Sequence, residues 1–189
     1  WSRGLGDVYK RQVLITGGAG FIGKHLSMHL LSLGCEVRIL DNFSSGREEF
    51  LEHHKGNDRV EIFRADLLDL DAVNEAMAGI ETVHHLAANP DIRLGTEVTD
   101  TDLKQGTIAT YNVLEAMRLN GVKKISFSSS SAIYGEAKTM PTPETYGPTL
   151  PISLYGASKL ASEALICCLC CTFVGVSWIN IFANIVGPR

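Results

Sequence analysis

The chain has 189 residues, with 17 Lys and Arg against 21 Asp and Glu, a formal charge of −4, 45% hydrophobic and 20% charged residues. That length fits one α/β domain with a sizeable core, and the acidic balance gives no basic footprint for nucleic acid or a membrane surface. No apolar run approaches the roughly 20 residues of a spanning helix and no secretory signal is present, while five cysteines without a framework fit a reducing compartment, the cytoplasm by default.

Residues 1–12 show no periodicity of either kind and are set aside as a non-native or disordered tail, an extra edge strand being the alternative. A short apolar run, Val13-Leu14-Ile15, predicts a strand, and it ends in Thr16-Gly17-Gly18-Ala19-Gly20-Phe21-Ile22-Gly23. Gly17, Gly20 and Gly23 recur at spacing three, and Gly18, Gly20 and Gly23 fit G-x-G-x-x-G. Missing side chains there permit a tight turn, let backbone approach a pyrophosphate, and pack helix on strand. The helix N-terminus that follows offers unpaired N–H groups and a partial positive charge to phosphates. An ordinary glycine-rich turn is the competing interpretation of the motif taken by itself.

Phe21, Ile22, Leu26, Leu30 and Leu33 recur at helical spacing up to Gly34, a C-cap. Residues 36–40 predict the next strand, which ends in Asp41-Asn42. Asp41 lies eighteen positions after Gly23, close to the spacing of an acid that bonds an adenosine ribose 2′-hydroxyl. Its carboxylate would repel a 2′-phosphate, so the expected cofactor is NAD rather than NADP. A cap or turn role is the alternative.

Residues 60–63 predict a third strand, followed by Ala65-Asp66-Leu67, where the acid could meet an adenine amino group or cap the helix expected over 69–79. Residues 81–86 predict a fourth strand whose following Ala87 and Ala88 let a cofactor lie close to backbone. His84 and His85 on that strand suit core or supporting roles better than a metal site. A polar connection over 89–106 and a helix over 108–119 follow, then a fifth strand over 123–127 and a long loop over 128–151 that is expected to carry function. A helix over 152–173 and a strand over 174–181 complete the pattern. Six β/α alternations without repeats or linkers predict one doubly wound parallel sheet, a Rossmann fold with helices on both faces. Its ligand crevice lies at the strand C-terminal ends.

Tyr155 and Lys159, at i and i+4, share a helix face. An ammonium beside a phenol stabilises phenolate and lowers its pKa from about 10, as a general base acting on a sugar hydroxyl requires. One hydroxyl of the run Ser128 to Ser131 can bond both Tyr155 and a substrate oxygen. The residues Cys167, Cys168, Cys170 and Cys171 hold two C-x-x-C spacings. Thiols pointing around a helix cannot close a tetrahedral metal site, so small apolar filling is expected.

Taken together, the segment from Thr16 to Gly23, Asp41-Asn42, Ala65-Asp66-Leu67, the run from Phe127 to Gly135, and Tyr155-x-x-x-Lys159 resemble the extended short-chain dehydrogenase/reductases. Within them the match is to the nucleotide-sugar epimerase/dehydratase branch and its UDP-glucose 4-epimerase-like proteins. The resemblance runs from Val13 to Arg189, as an NAD-binding domain over 13–189. It implies that this domain is cut off before most of a C-terminal substrate region. It implies cofactor contacts from Gly17, Gly20, Phe21, Ile22, Gly23, Asp41, Asn42, Asp66, Leu67, Ala87, Ala88, Tyr155 and Lys159.

For the chemistry, the resemblance implies that Tyr155 takes the proton of a sugar 4-hydroxyl while hydride passes to NAD⁺. Lys159 lowers the Tyr155 pKa, and Ser130, five positions before Gly135, is the catalytic serine. Asn184 is implied to contact the sugar phosphate beside Ser130 and Tyr155. Related dehydratases and decarboxylating synthases carry a Glu where this chain has Ala132, and some dehydratases an Asp where it has Ser131. Without either carboxyl, water elimination lacks its acid and base, and reversible hydride transfer remains. Gly106 stands where relatives often have an Asn, which removes one polar contact. The expected partner is a nucleotide sugar, a UDP-hexose, with a homodimer as one assembly and neither nucleic acid nor membrane. An NAD-dependent dehydrogenase or dehydratase of the same family, or an NAD-binding fragment without turnover, are the alternatives.

Overall fold

The computed structural model describes residues 11–173 and 175–187. Most of the expected tail, the start of the last strand at Val174, and Pro188 and Arg189 lie outside these residues. Six strands form one parallel sheet: β1 (Gln12–Thr16), β2 (Glu36–Asp41), β3 (Val60–Arg64), β4 (Thr82–His85), β5 (Lys124–Ser130) and β6 (Val176–Phe182). Their spatial order is β3-β2-β1-β4-β5-β6. This is the doubly wound order, with its reversal between β1 and β4.

Alternation along β1 explains the two layers. Val13 and Ile15 face one apolar cluster with Leu31, Val37 and Ile39, while Leu14 faces the other with Val83, Val113, Ile125 and Phe127. The first cluster is closed by α1 (Phe21–Ser32) and a 3-10 turn, Glu48–His54. The second is closed by α2 (Leu70–Met77), α4 (Ala109–Leu119) and α5 (Leu154–Phe173). A one-turn helix, α3 (Leu94–Glu97), and a π-turn, Leu103–Ile108, occupy the connection expected to be irregular.

Three boundaries differ from expectation for physical reasons. Gln12, assigned to the tail, begins β1: it pairs with Glu36, whose N–H donates to the Arg11 carbonyl. Ser128, Ser129 and Ser130, expected in a loop, belong to β5. They pair with Asn180, Ile181 and Phe182 of β6, so sheet pairing overrides the weak strand preference of serine. The helix expected from Ile152 starts at Leu154, because the Ser153 hydroxyl accepts the Gly156 N–H. Residue Gly34, at φ +86°, follows the end of α1 as expected.

The helix α5 corrects the expectation about spanning segments: with 20 residues and mean hydropathy 1.4 over its most apolar window, it is long and apolar enough to cross a membrane. Its buried residues are Gly156, Ser158, Lys159, Ser162 and Ile166: Gly156 packs on the Ala132 carbonyl, Ser158 on Gly106, Lys159 on β5, and Ile166 in the second apolar cluster.

Candidate active site

The C-terminal ends of β1, β2, β4 and β5 surround a crevice of about 560 Å³. Gly17, at φ +70°, makes the crevice floor possible. A Cβ there would lie 2.7 Å from the Ala87 nitrogen and 2.8 Å from its Cα, so the ends of β1 and β4 meet backbone to backbone. Gly23 packs the start of α1 on the turn, since its Cβ would fall 2.5 Å from the Gly18 Cα. A Cβ on Gly20 would approach only the Gly17 carbonyl within 4 Å, at 3.2 Å. The turn thus opens onto the crevice with the N-terminus of α1 behind it, the arrangement that receives a pyrophosphate.

At the end of β2 both oxygens of Asp41 are engaged. Oδ2 accepts the Ala19 N–H at 2.9 Å and Oδ1 accepts the Phe43 N–H at 2.8 Å. The acid therefore shapes the glycine turn and its own loop while lining the crevice. A carboxylate has about four lone-pair sites, so acceptor capacity remains for a ribose hydroxyl. Asn42 also lines the crevice, and its Nδ2 donates to Asp66 Oδ2 at 2.9 Å. Asp66 Oδ1 accepts the Leu68 N–H, and the N-cap of α2 is Asp69, whose carboxylate accepts from the Ala72 N–H. The capping alternative for Asp66 is thus filled by its neighbour. Asp66 itself lies outside the residues lining the crevice, whereas Leu67 lines it.

On the other side, Ser130, Tyr155 and Lys159 come together with Ala87 and Ala88. Ser130 Oγ accepts the Ala132 N–H at 3.2 Å and lines the crevice together with Tyr155. The Lys159 ammonium donates to the Ser128 carbonyl at 2.7 Å and stands 4.7 Å from the Phe127 ring centroid and 5.8 Å from that of Tyr155. The expected lowering of the phenol pKa by Lys159 is not what this arrangement produces. Burial pushes the Tyr155 phenol up and the nearby Asp102 carboxylate adds to the rise, with only Ser130 opposing them. Lys159 is itself lowered to about 8 by burial, with Glu163 pulling the other way.

His85 takes the core role. Its Nδ1 lies 2.6 Å from the Thr16 hydroxyl and its Nε2 3.0 Å from that of Thr110, which donates to the Gly106 carbonyl. Thr110 is thereby left as an acceptor, so His85 carries its proton on Nε2 and stays neutral. Burial first, then the Lys159 charge, lower its pKa to about 3. Gly106 is a packing requirement: a Cβ would sit 2.6 Å from the Ser158 hydroxyl and 2.9 Å from its Cβ. An Asn there would strike α5, and the adjacent Gln105 faces the crevice instead.

Asn184 is exposed and does not line the crevice, although Ala183 and Ile185 on either side of it do. Other lining residues went unforeseen: Ser44, Ser45 and Gly46 after β2, and Gln105. Gly46 packs on Asp41, a Cβ there falling 2.9 Å from Oδ1. Glu163 was also missed, although its i+4 spacing from Lys159 was visible. All five cysteines are free, and among the described residues no group of three or more His, Cys, Asp or Glu could hold a metal ion.

A doubly wound sheet with a glycine cradle, an acid ending β2, and a Ser/Tyr/Lys set across the crevice has the form of a dinucleotide-binding domain. The chain belongs to the NAD dependent epimerase/dehydratase family, whose model matches residues 13–189. It is 38% identical over 161 residues to a UDP-glucose 4-epimerase of Bacillus subtilis, covering 82% of this chain and 46% of the relative. A UDP-N-acetyl-alpha-D-glucosaminuronate decarboxylase of Bacillus cytotoxicus is 36% identical over 187 residues, covering 95% and 56%. Among solved structures, the Thermus thermophilus UDP-glucose 4-epimerase complex with NAD superposes with a TM-score of 0.86 at 35% identity, covering 94% of this chain and 57% of that one. The chain spans about half the length of the curated relatives it matches.

Proposed function

We propose that the chain carries the cofactor and proton-transfer machinery of an NAD-dependent nucleotide-sugar 4-epimerase of the UDP-glucose/UDP-galactose type. The observation that carries this reading is where the carboxylates lie. Among the described residues that line the crevice the single one is Asp41, at the end of β2 and three strands away from Ser130. Ser131 and Ala132, in the turn after β5, supply no acid to drive elimination. Ser130 and Tyr155 supply hydroxyls, which suffice to move one proton on and off a sugar oxygen.

The glycine cradle fits a dinucleotide: Gly17 and Gly20 keep the floor clear, Asp41 and Asn42 stand where a ribose would be read, and Ala87 and Ala88 leave room beside backbone. NAD, when bound, supplies a hydride acceptor and donor and a positive charge. Ser130 holds the substrate oxygen and Tyr155 in one hydrogen-bonded line. Tyr155 accepts the 4-hydroxyl proton and returns it after the 4-keto sugar has turned over. Lys159 holds its ammonium against the Ser128 carbonyl, with its nitrogen 5.8 Å from the Tyr155 ring centroid, beside the proton-accepting phenol. Asn184, exposed beside the lining residues Ala183 and Ile185, is proposed for the sugar phosphate on the resemblance of its segment. A cytoplasmic setting accompanies this reading, supported by the free thiols.

The decarboxylase relative favours a second reading, oxidation of a nucleotide-linked uronic acid followed by loss of carbon dioxide. A turnover panel decides. Incubation with NAD and UDP-glucose, UDP-galactose, their N-acetyl forms and UDP-glucuronate is expected to interconvert a 4-epimer pair with reduced cofactor retained. In Tyr155→Phe, interconversion should fall by about 10²–10⁴ with NAD binding kept. Stoichiometric release of NADH, release of carbon dioxide, or NAD binding without any sugar-dependent reduction would each replace the epimerase reading.

A further inference from the structure

Three consecutive residues at the end of β5 are matched to three positions of α5 spaced by four. Ser130 lines the crevice with Tyr155, the Ser128 carbonyl accepts from Lys159, and the Ser129 hydroxyl donates to Glu163 Oε1. The spacing puts Tyr155, Lys159 and Glu163 on one helix face. Catalysis uses the first two positions and leaves the third without a role.

We propose that Glu163 is a positioning residue for Lys159: tied down by the Ser129 hydroxyl, it keeps the buried lysine in its ammonium form against the end of β5. This rests on Tyr155 and Lys159 being the catalytic pair. Lys159 is 3% exposed and Ser129 is 3% exposed, so the ammonium has little water to sustain its charge. Its contacts are a carbonyl and two ring faces. His85 faces it from β4 but is neutral, and Tyr155, beside it on α5, is a neutral phenol. Glu163 is the group whose charge favours the ammonium, against a burial cost that brings the lysine down to about 8. No ion pair joins Lys159 and Glu163 among the described residues. The attraction acts at longer range, and the hydroxyl tie is what holds the carboxylate in place for it.

The test is an NMR titration of lysine side chains, with Lys159 identified by the signal lost in Lys159→Arg. The Lys159 midpoint is expected near 8 in the parent and lower in Glu163→Gln, which keeps shape and removes charge. Ser129→Ala, which frees the carboxylate, should move it in the same direction by less. A merely structural Glu163 would lower the melting temperature and leave the midpoint alone. A midpoint in Glu163→Gln at or above the parent value overturns the proposal. Should that variant fail to fold, an unmoved midpoint in Ser129→Ala overturns it. The alkaline limb of sugar-dependent NAD reduction is expected to shift to lower pH alongside the midpoint. Full turnover in Tyr155→Phe would remove the catalytic reading, and the titration would still decide whether Glu163 governs the charge on Lys159.

Discussion

Asp41 Oδ2 accepts the backbone N–H of Ala19 at 2.9 Å, tying the residue that ends β2 to the middle of the glycine turn. The acid that would select the cofactor thus also folds the loop that would receive it. Asp41→Ala should weaken NAD binding and ease NADP binding, as expected when a carboxylate beside a ribose is removed. Because Ala19 and Phe43 each lose an acceptor, it should also cost about 1–3 kcal/mol of stability. Asp41→Asn keeps one acceptor and should recover part of the stability without the old preference. Calorimetric titration with both cofactors and denaturant unfolding separate the two effects. An unchanged NAD/NADP ratio would take Asp41 out of the ribose site.

Gly106 makes a different prediction, of steric origin. A methyl group there meets Ser158, whose backbone belongs to the turn of α5 that carries Lys159. Gly106→Ala is expected to cost about 1–3 kcal/mol through overpacking and to slow hydride transfer by displacing α5. Gly106→Asn should cost at least as much. The double variant with Ser158→Gly should recover most of the lost melting temperature. Failure of that rescue would mean that the strain lies elsewhere.

Two buried histidines set a pH dependence. His85 is lowered to about 3, and His54, bonded to the Ser27 hydroxyl, to about 4, both mainly by burial. Between these values and the usual 6.5 the unfolded chain binds protons that the folded one refuses. Stability is therefore fully present above about pH 6.5 and falls as pH drops toward 4 and then 3. Each group contributes a slope of up to about 1.4 kcal/mol per pH unit. Unfolding by urea from pH 7 to 4 should show this slope, flattened by one group's share in His54→Gln. An equal slope in that variant would show that His54 is not held neutral.

Much of this was legible from residue types and spacing. The glycine pattern, Asp41 at its distance from Gly23, and Tyr155 with Lys159 are local signals, because each depends on a turn or one helix face. What escaped was set by partners distant in sequence. Ser128, Ser129 and Ser130 look like loop residues until β6 pairs with them. Gly106 looks like a lost side chain until Ser158 arrives from α5. The spacing to Lys159 suggests a lowered Tyr155 pKa, yet burial first, and then Asp102, over fifty positions upstream, push it up, and only Ser130 opposes them. Gln105 gave no signal of its own, since only the π-turn directs it to the crevice.

The pairing of β5 with α5 also determines where the chain can change length. One residue added or lost between Tyr155 and Glu163 would rotate the remainder of α5 by about 100° and carry at least one of the three positions off the strand. The largely exposed segment over 136–150 bears no such constraint. Insertions and deletions should accumulate there, leaving the contacts between the end of β5 and α5 in register.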